Sequence, residues 1–143
     1  MAQCYAILIL ASVAALAGCL QLRPDCSQLD PYALQDGERM ELFSKVQAYA
    51  PKKNVGLSLV YECALEGMAG LILENSRRPM SCPRSLGYYP LMFQLYVEAE
   101  GEADLSSVAD FTWEQIRSLA KYSSFGCNHR KDGERHIYLC LFK

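Results

Sequence analysis

Two stretches near the C-terminus, 125–131 and 135–142, are strand-like, and Asp132-Gly133 between them is a turn dipeptide. A hairpin there leaves few choices of register. A two-residue Asp-Gly turn sets Cys127 opposite Tyr138. A four-residue loop over 132–135 pairs Lys131 with His136 and sets Cys127 opposite Cys140. Directly opposed side chains stand about 4.5–5.5 Å apart at Cβ, close to what a disulfide needs. The second register and a Cys127–Cys140 bond are therefore expected, closing a loop worth about 3 kcal/mol in the chain-entropy model. That register places His129 and His136 as diagonal neighbours on one face, near enough to reach a shared ion. The disulfide uses both sulfurs, however, and Cys-x-His is a poor zinc spacing. The tail reads as structural, with no metal and no other cofactor expected.

The N-terminus sets the compartment. Residues 1–17 carry no charged side chain, an apolar run over 5–10 and small residues after it, the pattern of a signal peptide cut before Gly18. The run is too short to span a bilayer. Leu16-Ala17-Gly18-Cys19 also reads as a lipobox that would lipidate Cys19, but it lacks the usual upstream Lys or Arg. Cleavage removes Cys4 of the seven cysteines and leaves an even set: Cys19, Cys26, Cys63, Cys82, Cys127 and Cys140. Such a set in an oxidising compartment is a disulfide framework. Beyond the hairpin, the expected pairs are Cys63–Cys82, tying a central helix to the loop after it, and Cys19–Cys26 by elimination.

The segment 18–143 amounts to a single domain, long enough to bury roughly two-thirds of its surface. A formal charge of −2 with mixed signs argues against nucleic acid and anionic membranes as partners. No Asn-x-Ser/Thr glycosylation acceptor is present, since Asn54, Asn75 and Asn128 all lack it.

Asp30-Pro31 reads as a cap and first-turn proline opening a helical stretch. Met40, Phe43, Val46 and Ala50 recur at helical spacing until Pro51. Ser58 is positioned to cap a second helix over 59–75, apolar nearly all round and so central, whose Gly67 and Gly70 point to a closely packed neighbour. Residues 77–89 read as loop. A third helix is expected from Pro90 with Leu91, Leu95 and Ala99 on one side. A fourth, with Thr112 and Gln115 as a capping box, would run to about Lys121.

Two blocks then carry a resemblance. Leu59-Val60-Tyr61-Glu62-Cys63-Ala64-Leu65-Glu66 is similar to the L-x-Y-D-C-x-L-E helix of nematode members of the CAP superfamily (cysteine-rich secretory, antigen-five and pathogenesis-related proteins). The tail, Phe125-Gly126-Cys127 with Ile137-Tyr138-Leu139-Cys140-Leu141-Phe142, resembles the family's I-G-C … V-V-C-x-Y strands. Leu95-Tyr96-Val97-Glu98 stands where W-W-x-E would fall. The resemblance implies an α/β fold of the α+β kind, a pared-down α-β-α sandwich around a small antiparallel sheet. It also implies a cleft with two His and two Glu able to bind zinc, of which this chain retains Glu98 alone. Leu86 occupies one histidine position, Asp110 or Trp113 the other, and the G-E-N segment is missing. His129 and His136 lie beyond the tetrad and do not replace it.

The function read from these observations is a secreted, non-enzymatic interaction protein. Its partner would be an extracellular protein, with parasite-secreted relatives pointing to host tissue or immunity. Loop 76–90, with Tyr88, Tyr89, Arg77, Arg78 and Arg84, is the candidate contact surface, because Tyr and Arg are enriched at interface hot spots. A carrier of lipid or sterol is the alternative, the apolar helix lining a cavity. A bacterial lipoprotein and a secreted hydrolase rank lower. No serine has a nucleophile context, and both histidines lie on one hairpin.

Overall fold

A computed structural model describes residues 24–52, 59–75, 80–97, 103–108 and 110–143. The helices are α1 (Asp36–Tyr49), α2 (Cys63–Glu74), α3 (Ser81–Ser85) and α4 (Asp110–Glu114). The strands are β1 (Val60–Tyr61), β2 (Tyr89–Tyr96), β3 (Ser124–Asp132) and β4 (Arg135–Phe142). The sheet order is β1-β3-β4-β2. Its long strands are antiparallel, and β1 adds a two-residue parallel edge to β3.

The hairpin adopts the expected register, with Lys131 opposite His136 and Cys127 opposite and bonded to Cys140. Its turn is one step tighter than the sequence indicates. Asp132 pairs with Arg135, through the ladder and by a 2.6 Å ion pair. Within the turn, Gly133 alone takes a positive φ (65°), the pattern of a two-residue turn with glycine first.

Side chains alternate between the two faces, so each face builds its own core. One carries Phe125, Phe142, Leu91, Phe93 and Tyr138, covered by Leu42 and Val46 of α1 and by Trp113 and Ile116 around α4. The other carries Leu139 and Leu141, covered by Leu65, Ala69, Ile72 and Leu73 of α2. The helix–sheet–helix layering that the resemblance implies follows from this division.

α2 lies on β3 at very short range. A Cβ built on Gly126 would come within 2.4 Å of the Glu66 amide nitrogen, and one on Gly70 within 2.8 Å of Asn128 Nδ2. The Asn128 amide occupies that space to donate to Tyr32 O (2.8 Å) and Glu66 O (3.1 Å). Arg130 Nη1 donates to the carbonyls of Leu73 (2.7 Å) and Glu74 (3.0 Å), closing the C-terminal end of the helix.

Glu66 is fully buried beneath this contact. Its carboxylate accepts from Leu34 N (2.7 Å), Arg39 Nε (2.8 Å), Arg39 Nη2 (3.0 Å) and Tyr61 Oη (2.6 Å). Arg39, 2% exposed, also donates to Leu34 O and pairs with Asp36. Tyr61 Oη reaches Cys127 O as well (3.3 Å). One carboxylate thereby joins α1, β1, α2 and the N-terminal segment to the hairpin. Both partners respond: the Glu66 contact raises the Arg39 pKa, and burial first, then Glu66, raises that of Tyr61.

Several expectations need correction. Residues 89–96 form a strand, not the start of a third helix. Leu91 and Leu95 fit helical spacing, but Tyr89, Leu91, Phe93 and Leu95 also alternate with period two, and cross-strand packing decides between them. The central helix begins at Cys63 rather than after Ser58, which lies outside the described residues, because Val60 and Tyr61 pair with Ser124 and Phe125. Asp30-Pro31 is a cis peptide in a turn, and the first helix opens at Asp36. The Trp113 helix starts at Asp110 and tightens to 3-10 geometry over Gln115–Ser118, so Thr112 is buried inside it rather than capping it.

The disulfides differ too. Cys63 bonds Cys26, not Cys82. Cys63 stands at the N-terminal end of α2, whose 12 residues span about 18 Å, and the loop leading to Cys82 leaves from the far end. Leu29 packs against Gly67 and Leu34 reaches Glu66, so the N-terminal segment delivers Cys26 to that end instead. Cys26 is therefore not paired with Cys19, which lies outside the described residues. Cys82 is exposed and has no disulfide among the described residues.

Replacing Glu66 with Ala leaves the buried Arg39 guanidinium with only the Leu34 carbonyl and the exposed Asp36 carboxylate, and breaking a buried pair in this way costs about 3–5 kcal/mol. Urea unfolding of Glu66→Ala with disulfides intact should show that loss, whereas exposed Glu41→Ala should change stability by less than about 0.5 kcal/mol.

Candidate functional site

The two histidines of the tail lie on the α1 face of the sheet as part of a column of rings. The His129 ring lies between those of His136 (centroids 4.9 Å, planes 8° apart) and Tyr138 (4.5 Å, 16°). Tyr138 stacks in turn on Phe93 (5.0 Å), and Phe93 meets Trp113 edge-on (5.0 Å). Glu38 of α1 contacts His129 Nδ1 at 3.0 Å. His129 Nε2, both ring nitrogens of His136 and Trp113 Nε1 are buried without a hydrogen-bond partner, and all four belong to this column.

The electrostatics disfavour charge on His136 and on Tyr138. The His136 pKa is lowered, first by burial and then by the charges of His129 and Lys131, with Glu38 opposing. Tyr138 is pushed up to about 12, first by burial and then by Glu38 and Glu41. Parallel stacking confines the lone pairs of the two imidazoles to separate, nearly parallel planes, so they do not converge on one ion. Among the described residues no three His, Cys, Asp or Glu side chains cluster to hold a metal. The sulfurs nearest the column, those of Cys127 and Cys140, are bonded to each other.

The residues read as a contact surface divide. Arg84 is exposed on α3 and lines, with Met80, Tyr89, Met92 and Gln115, a surface hollow of about 240 Å³. Tyr89 is half-buried there, and its hydroxyl donates to Gln115 Oε1 (3.4 Å). Tyr88 is half-buried against the opposite core, beside α2. Arg77 and Arg78 lie outside the described residues, as does Glu98. At the two histidine positions of the tetrad, Leu86 is 66% exposed at one; of the alternatives for the other, Asp110 accepts from the Tyr49 hydroxyl (2.8 Å) and Trp113 is buried in the column.

Residues 26–142 match the family model described as "Ancylostoma-associated secreted protein related". The chain belongs to that family. No curated protein sequence matches it. Among solved structures it is similar to the Ancylostoma-secreted protein Ac-ASP-7, at a TM-score of 0.50 and 15% identity over 76% of this chain and 69% of that one. A hookworm platelet inhibitor follows, at 0.41 and 14% over 87% and 72%. Both are CAP-superfamily proteins, and at its identity the likeness to Ac-ASP-7 shows the fold alone.

Within this member of the Ancylostoma-associated secreted protein related family, the L-x-Y-E-C-x-L-E block acquires a physical meaning. Leu59 and Leu65 are core residues, Tyr61 and Glu66 form the buried polar centre, and Cys63 carries a disulfide. Sequence reasoning missed the Arg39–Glu66–Tyr61 set and the Glu38–His129 contact. The first had a visible signal, since Glu66 is a charge on a helix otherwise apolar on that side. The second had none, because it joins residues of α1 and β3 far apart in the chain.

His136 links the column to pH. A neutral His136 favours the folded state. That contribution is complete above the unfolded pKa of about 6.5 and falls as pH drops through the depressed folded value. Urea midpoints should therefore decline between pH 7 and pH 5, and His136→Phe, which keeps a ring in the column but cannot titrate, should flatten the decline.

Proposed function

We propose that this protein acts outside the cell as a non-enzymatic interaction protein, the product of a parasite directed at an extracellular host protein, with the family's zinc tetrad lost. The observation that carries this reading is the set of residues at the tetrad positions. Leu86 is an exposed aliphatic, Asp110 is engaged by Tyr49, and Trp113 is a buried indole. Neither Leu nor Trp is a zinc ligand, and Asp110 with Glu98 would make an incomplete set at best. Family membership over residues 26–142 and the two disulfides support an extracellular setting. The signal peptide over 1–17 belongs to the same proposal.

What remains for function is the outer surface, and the part around α3 is the contact region on this reading. Arg84 stands exposed on a short helix tied to β2 and Leu86 just past its end, with Tyr89 fixed behind them. A charged fork and a held aromatic, Arg84 and Tyr89, are the residue types enriched at hot spots. The alternative of a lipid carrier finds no support in α2, because its apolar residues Leu65, Ala69, Ile72 and Leu73 are spent on Leu139 and Leu141.

Two measurements test the proposal. Titration with zinc should give no heat of binding at micromolar protein, and a one-to-one site would overturn the loss of the tetrad. Probing an array of host extracellular proteins should yield a binder whose affinity falls at least about tenfold, or about 1.4 kcal/mol, with Arg84→Glu. A binder indifferent to that change would move the contact region elsewhere.

A further inference from the structure

β2 is an outer strand of the sheet, and the direction of its backbone groups can be derived. Val97 N donates to Glu134 O (2.8 Å), one step beyond the Tyr96–Arg135 pair, so the odd-numbered residues turn their amides towards β4. Alternation then sends the backbone groups of Pro90, Met92, Gln94 and Tyr96 outward. Pro90 has no N–H to leave unpaired there, the placement that edge strands allow. Among the described residues no backbone group bonds the outward N–H and C=O of Met92, Gln94 or Tyr96.

Exposed edges are usually guarded by charge, a bulge or a covering segment. None of Leu91 to Tyr96 is charged, and the ladder with β4 runs unbroken from Tyr89 to Tyr96. On the face shared by the even-numbered residues, Met92 is 46% exposed and Tyr96 77%.

We propose that this edge pairs antiparallel with the same edge of a second copy of the chain, about a two-fold axis at Gln94. Gln94 then lies opposite Gln94 of the partner subunit, and Met92 opposite Tyr96 of the partner subunit. The outward groups of the three opposed pairs face one another as hydrogen-bonded pairs. The side chains favour a second copy over another strand because the knob, Tyr96, and the Met92 wall of the hole lie on the same strand at the separation that the two-fold requires. Tyr96 of the partner subunit arrives beside Met92, where the hollow of about 240 Å³ is lined by Met80, Arg84, Tyr89 and Gln115. Arg84 is the one charge lining that hollow, and a guanidinium is attracted to the face of a phenol ring. No like charges oppose each other along the paired strands. Five residues of paired strand make a contact smaller than the about 1,200 Å² of stable interfaces, so the dimer is reversible and concentration-dependent.

The test uses the secreted, oxidised protein in a Cys82→Ser background. Gln94→Cys should form a disulfide-linked dimer at least about tenfold faster than exposed Ser118→Cys, since directly opposed hydrogen-bonded residues lie about 5.5 Å apart at Cα. The sedimentation coefficient of the parent protein should rise from micromolar to near-millimolar concentration. Gln94→Pro removes the central outward N–H without touching the β4 ladder and should stay monomeric. Tyr96→Lys, which places like-signed charge into the paired strip, should do the same and stands in if the proline variant fails to fold. A parent protein monomeric throughout, or cross-linking of Gln94→Cys no faster than the control, overturns the proposal. So does association that survives both Gln94→Pro and Tyr96→Lys.

Discussion

A buried carboxylate without partners is costly enough that a fold must either exclude it or organise around it. Here the fold is organised around Glu66. Its two oxygens receive a guanidinium, a phenol and a backbone amide from three segments separate in the chain. Those bonds set where α1 lies against α2, where the N-terminal segment crosses them, and how β1 meets β3. Gly126 is the complementary condition, because any Cβ there would push α2 off the sheet and open the site.

The rest of the domain is built outward from this contact. Cys26–Cys63 ties the N-terminal segment to the first residue of α2, and Cys127–Cys140 locks the two central strands in register. Each bond lies close to an element of the polar centre: Cys63 three residues before Glu66, and Cys127 through the carbonyl that Tyr61 reaches. The disulfides therefore brace the same junction that the charge network specifies. Further from it, the sheet ends at an outer strand whose polar edge is open among the described residues, and function on our reading lies at that outer surface.

The sequence disclosed the hairpin and its disulfide because both follow from pairing geometry inside 18 contiguous residues, Phe125 to Phe142. It disclosed the family through blocks whose residues turn out to be structural. The strand at Tyr89–Tyr96 was illegible because Leu91 and Leu95 satisfy helical and extended periods together, and only β4 alongside selects one. The Cys26–Cys63 bond was illegible for a similar reason. Proximity in sequence favoured Cys82, while the length of α2 placed that cysteine at the wrong end.

What the sequence by itself determined is therefore local and pairwise: a helix ending before Pro51, the hairpin register, the Cys127–Cys140 bond and the family-bearing blocks. Each depends on spacing along one stretch of chain, and spacing is what a sequence records. The tertiary structure alone decided which half-cystine Cys63 takes, that Glu66 is buried with Arg39 and Tyr61, and that His129 stacks between His136 and Tyr138 beneath Glu38. Those choices turn on distances between segments that meet only after the helices have packed on the sheet, and no local propensity carries that information.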